Sequence, residues 1–222
     1  MRLDRIIQDS GCVIMKGNGR TEVDSVCNDS RKVTHGALFV AVKGFATDGH
    51  EYIARAIGLG ASVIVYEDQE SLDRQLASID SEGIALVKAE SSRYALAIIA
   101  ANFYDNPSHK LTLVGITGTN GKTTIATLLY KLFMAMGHRC GLLSTVCNYI
   151  NGKAYPSTHT TPDAISLNRM LAEMVEAGCE YAFMEVSSHA LAQERVGGLE
   201  FAGAIFTNLT RDHMDFHETM EN

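Results

Sequence analysis

The sequence predicts an α/β protein of two domains, the second a mostly parallel sheet carrying a nucleotide-phosphate loop. Three observations carry that prediction. Short apolar runs alternate with helical stretches from residue 36 onward. The run Gly118-Thr119-Asn120-Gly121-Lys122-Thr123-Thr124 lies between an apolar strand candidate and an apolar-periodic helix candidate. Finally, three polar clusters, 117–124, 185–189 and 208–215, each follow a strand candidate directly, at the carboxyl edge where parallel sheets gather their ligands.

Taken in order, residues 38–42, 61–66 and 84–87 read as strands, with helices over 51–59 and 70–79 between them. Ser91 and Ser92 are of capping type for a helix through Tyr94, Ile98, Ile99 and Phe103 that ends before Asn106-Pro107. The domain boundary is expected near residue 90. Residues 111–116 form the strand before the phosphate loop. The helix after the loop has Ile125, Leu128, Leu129, Leu132, Phe133 and Met136 on one face, expected to be core, and stops at Gly137. Strands over 142–146 and 149–150 lead to the hairpin signal Asn151-Gly152. Thr161-Pro162 is expected to open a helix burying Leu167, Leu171, Met174 and Val175, with Gly178 ending it. Strands over 181–186 and 202–207 complete the pattern.

Composition narrows the function. With 222 residues, 46% hydrophobic and 20% charged, the chain can bury one large or two modest cores. A formal net charge of −7 argues against a nucleic-acid surface, because phosphate-backbone affinity needs clustered Lys and Arg. No secretory leader and no apolar span of membrane length is present, so a soluble, cytoplasmic protein is expected. The five cysteines are widely spaced, without a Cys-x-x-Cys pair, and read as reduced structural thiols.

The loop chemistry is specific. Glycines let backbone amides turn around phosphate oxygens, and the following helix points its positive end at the same anion. Lys122 would reach the terminal phosphates and Thr123 a magnesium ion. Ile116 stands where the general pattern has its first glycine. Glu185 ends an apolar strand, a common place for a magnesium-holding carboxylate, although a salt-bridged glutamate is the plain alternative. His213, between Asp212 and Asp215, suits metal or phosphate chemistry or a hydrogen-bonded structural role; His217 reads as structural. Arg195, near Gln193, could pair with a substrate carboxylate or phosphate, or be solvated. Thr160 and Thr161 read first as a helix cap, at a place where anions also bind. In the first domain, Asn28-Asp29-Ser30-Arg31 and residues 44–50 read as ordinary turns, although a polar Asp29-Ser30-Arg31 turn could bind a pyrophosphate or a uracil edge.

Together these residues resemble the Mur ligase family. The Gly118-to-Thr124 run is similar to that family's phosphate loop, whose glycine placement accounts for Ile116. Thr160-Thr161-Pro162, residues 184–191 with Gln193 and Arg195, and residues 206–215 look like the branch acting on UDP-N-acetylmuramoyl-L-alanyl-D-glutamate. The run Glu185-Val186-Ser187-Ser188-His189 separates that branch from its sister ligases. Asp29-Ser30-Arg31 and residues 38–41 extend the resemblance through the first domain.

The resemblance implies ATP-dependent addition of a diamino acid, meso-diaminopimelate or L-lysine, to that precursor in peptidoglycan synthesis. ATP would phosphorylate the glutamate side-chain carboxylate, and the incoming amine would displace phosphate to give an amide. Such chemistry needs positioning and charge neutralisation more than a protein nucleophile. By resemblance, Gly118, Thr119, Asn120, Gly121, Lys122, Thr123 and Thr124 hold ATP, and Lys122, Glu185 and His213 are catalytic. Thr123, Glu185 and His213 serve Mg2+. Thr160, Thr161, Ser187, Gln193 and Arg195 hold the muramoyl-peptide, and Ser30, Phe45, Ala46 and Thr47 contact the uridine end. Residues 1–90 are expected to bind the UDP-muramoyl precursor and 91–222 to be an incomplete ATP-binding domain, in a monomer without nucleic-acid or membrane partners. Because the family continues with a carbamylated lysine and a C-terminal domain, the chain is expected to be an N-terminal fragment that does not turn over. The alternatives are another Mur or folylpolyglutamate-type ligase and, for a fragment, a non-catalytic nucleotide-sugar binding module.

Overall fold

Residues 1–44, 47–77 and 79–210 are described by the computed structural model of the chain, and they form two sheets, one before and one after Phe103. In the first unit the elements run α1 (Leu3–Ile6), β1 (Val13–Lys16), β2 (Ser25–Cys27), β3 (Ala37–Val40), α2 (Ile53–Gly58), β4 (Val63–Tyr66), α3 (Gln69–Leu76), β5 (Ala85–Lys88) and α4 (Ser92–Phe103). The strand order is β1-β5-β4-β3-β2, parallel except for antiparallel β1. Every residue of β3 and β4 is buried, which is why these strands read as unbroken apolar runs. Phe39, Ile64 and Tyr66 pack with Ile53, Ala56 and Leu72 in one core.

The division falls after Phe103 rather than near residue 90. Residues 95–101 of α4 are all buried, so this helix is part of the first core and not a linker. Its start is tied to that unit: the Ser92 amide donates to Glu67 at 2.7 Å, and the Lys43 amide to the Ser92 hydroxyl at 3.2 Å. Ser91 caps it by accepting from the Tyr94 amide at 3.2 Å, as the sequence predicts. The short elements α1, β1 and β2 carry too few residues for a periodic signal and are absent from the sequence reading.

The second unit runs β6 (Thr112–Thr117), α5 (Lys122–Ala135), β7 (Cys140–Leu143), β8 (Cys147–Ile150), β9 (Lys153–Pro156), α6 (Ala164–Glu176), β10 (Tyr181–Glu185), α7 (Ser188–Ala192) and β11 (Gly203–Phe206). The order is β11-β6-β10-β7-β8-β9, with β11, β6, β10 and β7 parallel and β8–β9 an antiparallel hairpin. Asn151 and Gly152 close that hairpin, both with positive φ, as the predicted turn requires. Strand alternation sends Leu113, Leu143, Ala182 and Met184 to the face covered by Leu167, Leu171 and Met174 of α6. Ile116, Leu142 and Phe183 point the other way, onto Ala126 and Tyr130 of α5. Gly141 lets α6 approach, since a Cβ there would lie 2.2 Å from Met174 Sδ.

Three expectations are corrected here. Leu128, Leu132 and Met136 are 60%, 54% and 61% exposed, because the core face of α5 is Ile125, Ala126, Leu129, Tyr130 and Phe133. At 100° per residue Leu132 and Leu128 fall about 20° and 60° beyond Ile125, on the side away from Ala126 and Tyr130, and Met136 is the C-cap. Second, α6 is capped by Asp163, whose carboxylate accepts from the Ile165 and Ser166 amides, and so begins after Thr161-Pro162. Third, β7 ends at Leu143, leaving Val146 exposed in the connection to β8.

Candidate functional site

The parallel register sets Glu185, the last residue of β10, beside Ile116 of β6, so the exits of both strands meet at one edge. From β6 the chain turns through Gly118 and Gly121, with φ of +122° and +88°, and enters α5 at Lys122. Gly118 has no room for a side chain: a Cβ would lie 2.2 Å from Thr207 Oγ1. The Lys122 ammonium folds back to donate to the Gly118 and Thr119 carbonyls at 2.6 and 3.0 Å. On the opposite side, residues 207–210 after β11 hold Thr119 and Asn120.

Glu185 is only 1% exposed and its carboxylate is fully engaged. Thr123 Oγ1 donates to Oε2 at 2.9 Å, the Thr145 amide to Oε1 at 2.9 Å, and the Thr145 hydroxyl lies 3.1 Å from Oε2. Among the described residues, this buried carboxyl group is satisfied by hydrogen bonds. The Thr145 hydroxyl also lies 3.1 Å from Thr160 Oγ1, while Thr161 Oγ1 donates to the Glu185 main-chain carbonyl at 2.9 Å and accepts from the Ser187 amide at 3.1 Å. The β7, β10 and pre-α6 segments are thereby stitched together around Glu185.

Beside this network lies a concavity of about 410 Å3, lined by Thr145, Thr160, Thr161, Ser187 and Arg195 together with His159, His189 and residues 157–158. Arg195 is held rather than solvated. Its Nη1 donates to the Thr161 carbonyl at 2.9 Å, and its Nε and Nη2 to Gln193 Oε1 at 3.0 and 2.6 Å. Ser187 caps α7, its hydroxyl accepting from the Ala190 amide at 3.2 Å. Thr160 and Thr161 therefore line the concavity and bridge to Glu185 instead of capping a helix.

In the first unit a second concavity, about 650 Å3, is lined by residues 28–31, Thr47 and Tyr52 among others. Ser30 is buried and opens the 3-10 turn Ser30–Lys32. Asp29 caps that turn and receives Arg31 Nε and Nη2 at 2.9 and 2.8 Å, a two-pronged ion pair. The Arg31 guanidinium bonded to it pulls the Asp29 carboxyl down to about 2. His50, fully buried, accepts at Nε2 from the Glu67 and Asp68 amides, so its ring proton sits on Nδ1, 2.6 Å from Asp48 Oδ1. It is a structural histidine joining the loop after β3 to the exit of β4.

Of the predicted site residues, Thr123, Glu185, Thr160, Thr161, Ser187, Gln193 and Arg195 are brought together, and Ser30 and Thr47 share the first-unit concavity. Phe45, Ala46 and His213 lie outside the described residues. Thr145 and His159 were not singled out, and His189 entered only as part of the polar cluster 185–189. Thr145 was legible in principle, as the polar exit of a parallel strand, once β7 is ended at Leu143. Burial raises the Cys27 thiol to about 11 and, with neighbouring groups, the Cys140 thiol to about 11, so neither is a reactive thiolate.

Residues 116–222 match the Mur ligase middle domain, and residues 22–104 the Mur ligase family catalytic domain. The chain is 52% identical over 222 residues to the UDP-N-acetylmuramoyl-L-alanyl-D-glutamate–2,6-diaminopimelate ligases of Parabacteroides distasonis and of Bacteroides fragilis, covering 100% of this chain and 44% of each relative. A solved structure of a ligase of that description superposes with a TM-score of 0.79 at 25% identity, over 100% of this chain and 42% of that one. The MurF ligase of Thermotoga maritima, solved in complex with ADP, superposes with a TM-score of 0.58 at 25% identity, over 90% of this chain and 40% of that one. The chain thus spans under half the length of the curated relatives it matches.

Proposed function

This chain belongs to the Mur ligase family, and from that membership we propose that it carries the nucleotide- and precursor-binding parts of an ATP-dependent ligase that joins a diamino acid to UDP-N-acetylmuramoyl-L-alanyl-D-glutamate. The names of the relatives favour 2,6-diaminopimelate over L-lysine as the amino acid. The reaction transfers the γ-phosphoryl group of ATP to the glutamate side-chain carboxylate. The amine of the incoming amino acid then attacks the acyl carbon, the carbon–oxygen bond to phosphate breaks, and amide, ADP and phosphate leave.

The observation that carries this reading is the hydrogen bond from Thr123, on the phosphate loop's helix, to Glu185, whose neighbours line the 410 Å3 concavity. Phosphate and acceptor subsites are thereby adjacent. The loop Gly118, Thr119, Asn120, Gly121, Lys122, Thr123 and Thr124 receives the ATP phosphates, Thr119 and Asn120 by shaping it rather than through their amides, which residue 208 occupies, and Lys122 by turning its ammonium from the loop carbonyls to the anion. A hydroxyl and a carboxylate 2.9 Å apart are the hard-oxygen donor set Mg2+ takes. When bound, the ion neutralises phosphate charge; His213 is the third ligand in this proposal. Thr160, Thr161, Ser187, Gln193 and Arg195 hold the muramoyl-peptide, the Arg195 guanidinium, anchored on Thr161 and Gln193, supplying positive charge beside its carboxylates. Ser30, with Phe45, Ala46 and Thr47, receives the uridine end. The chemistry belongs to a cytoplasmic monomer; among the described residues no helix is long and apolar enough to cross a membrane.

Calorimetric titration of the chain with UDP-N-acetylmuramoyl-L-alanyl-D-glutamate tests the proposal. Binding that Ser30→Ala and Arg195→Ala each weaken is the expected result. Absence of any heat at millimolar precursor removes the precursor assignment.

A further inference from the structure

The phosphate loop is gripped from two sides, and the two grips differ in what ligand binding does to them. Lys122 holds the Gly118 and Thr119 carbonyls through its ammonium. An ammonium that turns to phosphate must release those carbonyls. The other grip comes from the segment after β11. The Asn208 side-chain amide pairs with Asn120 in both directions: Oδ1 accepts from the Asn120 amide at 3.0 Å, and Nδ2 donates to the Asn120 carbonyl at 3.1 Å. Thr207 Oγ1 donates to that same carbonyl at 2.7 Å. The Asn208 main-chain carbonyl receives the Thr119 amide at 2.9 Å, and the Thr210 amide donates to Thr119 Oγ1 at 2.9 Å. None of these bonds involves Lys122, so all of them survive its departure.

We propose that Asn208 is a positioning residue for nucleotide binding: its two-way amide clamp on Asn120 keeps the loop in its phosphate-receiving shape when Lys122 leaves the loop carbonyls for the ligand. The inference rests on the phosphate-loop reading above. Two physical points support it. The clamp engages the Thr119 and Asn120 amides away from any ligand, which leaves the first amides of α5 as the loop's anion donors. It also fits tightly around Gly118, where the Asn208 carbonyl would lie 2.7 Å from an added Cβ, so the loop cannot slide without displacing residues 207–208.

The test compares the 222-residue chain with its Asn208→Ala and Asn208→Asp variants by amide hydrogen exchange and by titration with a fluorescent ADP analogue and Mg2+. In Asn208→Ala the Asn120 amide is expected to exchange about fivefold faster, while the Thr119 amide, bonded to the main chain of residue 208, keeps its rate. Nucleotide affinity is expected to fall by a similar factor. Asn208→Asp still accepts from the Asn120 amide, so its exchange stays slow, yet the added anion weakens nucleotide binding. A merely destabilising substitution would instead speed both amides and lower the melting midpoint. Unchanged Asn120 exchange in Asn208→Ala, or nucleotide affinity equal to that of the unsubstituted chain, overturns the proposal while leaving the phosphate-loop reading intact. Failure of the unsubstituted chain itself to bind the nucleotide overturns both.

Discussion

Thr123 and Glu185 stand 2.9 Å apart, hydroxyl to carboxylate, although one begins a helix and the other ends a strand. That bond joins the loop to the network around the 410 Å3 concavity. Glu185→Gln removes the carboxylate: with its amide oxygen kept toward the Thr145 amide, its NH2 meets the Thr123 and Thr145 hydroxyls, which must turn to accept and lose Glu185 as their own acceptor. Losing hydrogen bonds to a carboxylate in a buried site costs roughly 1–3 kcal/mol. Thermal denaturation is expected to show that loss, and a magnesium titration of nucleotide binding to shift to higher metal, with precursor affinity changed less. An unchanged magnesium titration would remove Glu185 from the metal site.

Lys122→Ala deletes the ammonium that now bonds two loop carbonyls. In an intact ligase containing this segment, loss of a charge aimed at developing phosphoryl charge costs about 3 kcal/mol, more than a hundredfold in kcat. Circular dichroism should show the fold retained, because the side chain is not part of the core. Activity above about a tenth of the unsubstituted rate at saturating ATP would contradict the assignment.

Gly118→Ala and Gly121→Ala separate strain from collision. Both glycines have positive φ, but only the first meets atoms, Thr207 Oγ1 at 2.2 Å and the Asn208 carbonyl at 2.7 Å, whereas Gly121 faces open space. Gly121→Ala should cost about 1 kcal/mol of stability and Gly118→Ala clearly more. Denaturant unfolding of the two variants, ranked in that order, is the check; the reverse ranking would show that residues 207–208 yield freely.

Asp29 supplies the pH dependence. Its folded carboxyl is pulled from 3.8 to about 2, first by the Arg31 hydrogen bonds. A depressed carboxylate contributes stability above its unfolded value, so the contribution is present above pH 4 and is lost as pH falls toward 2. Arg31 is 75% exposed, so solvent screens the pair and the effect on stability is small. Carboxyl NMR titration of Asp29 should give a midpoint near 2, moving up toward 3.8 in Arg31→Ala. A midpoint unmoved by Arg31→Ala would assign the shift to something other than the ion pair.

Legibility from sequence divided along a clear physical line. The phosphate loop, Glu185 at its strand end and the Asn151-Gly152 hairpin were readable because each is set by neighbours within a few residues: backbone φ, strand period and turn chemistry. The face of α5 was misread because its sequence carries apolar residues nearly all round, and only packing against β6, β7 and β10 selects Ile125, Ala126, Leu129, Tyr130 and Phe133 over Leu128 and Leu132. The cap of α6 was displaced for a similar reason. Thr161, of good capping type, is drawn to the Glu185 carbonyl and the Ser187 amide, which leaves the cap to Asp163.

By itself, then, the sequence determined the α/β class, the glycine-bearing turn between β6 and α5 and which strand ends carry polar residues, since these follow from local backbone preference and hydrophobic period. Tertiary structure alone decided that Thr145 and Thr123 share one carboxylate, that Arg195 is anchored on Thr161 and Gln193, and that Asn208 clamps Asn120. Residues far apart in the chain meet only through the order in which β11, β6, β10 and β7 pair, and that order follows from burying both faces of the sheet under α5 and α6.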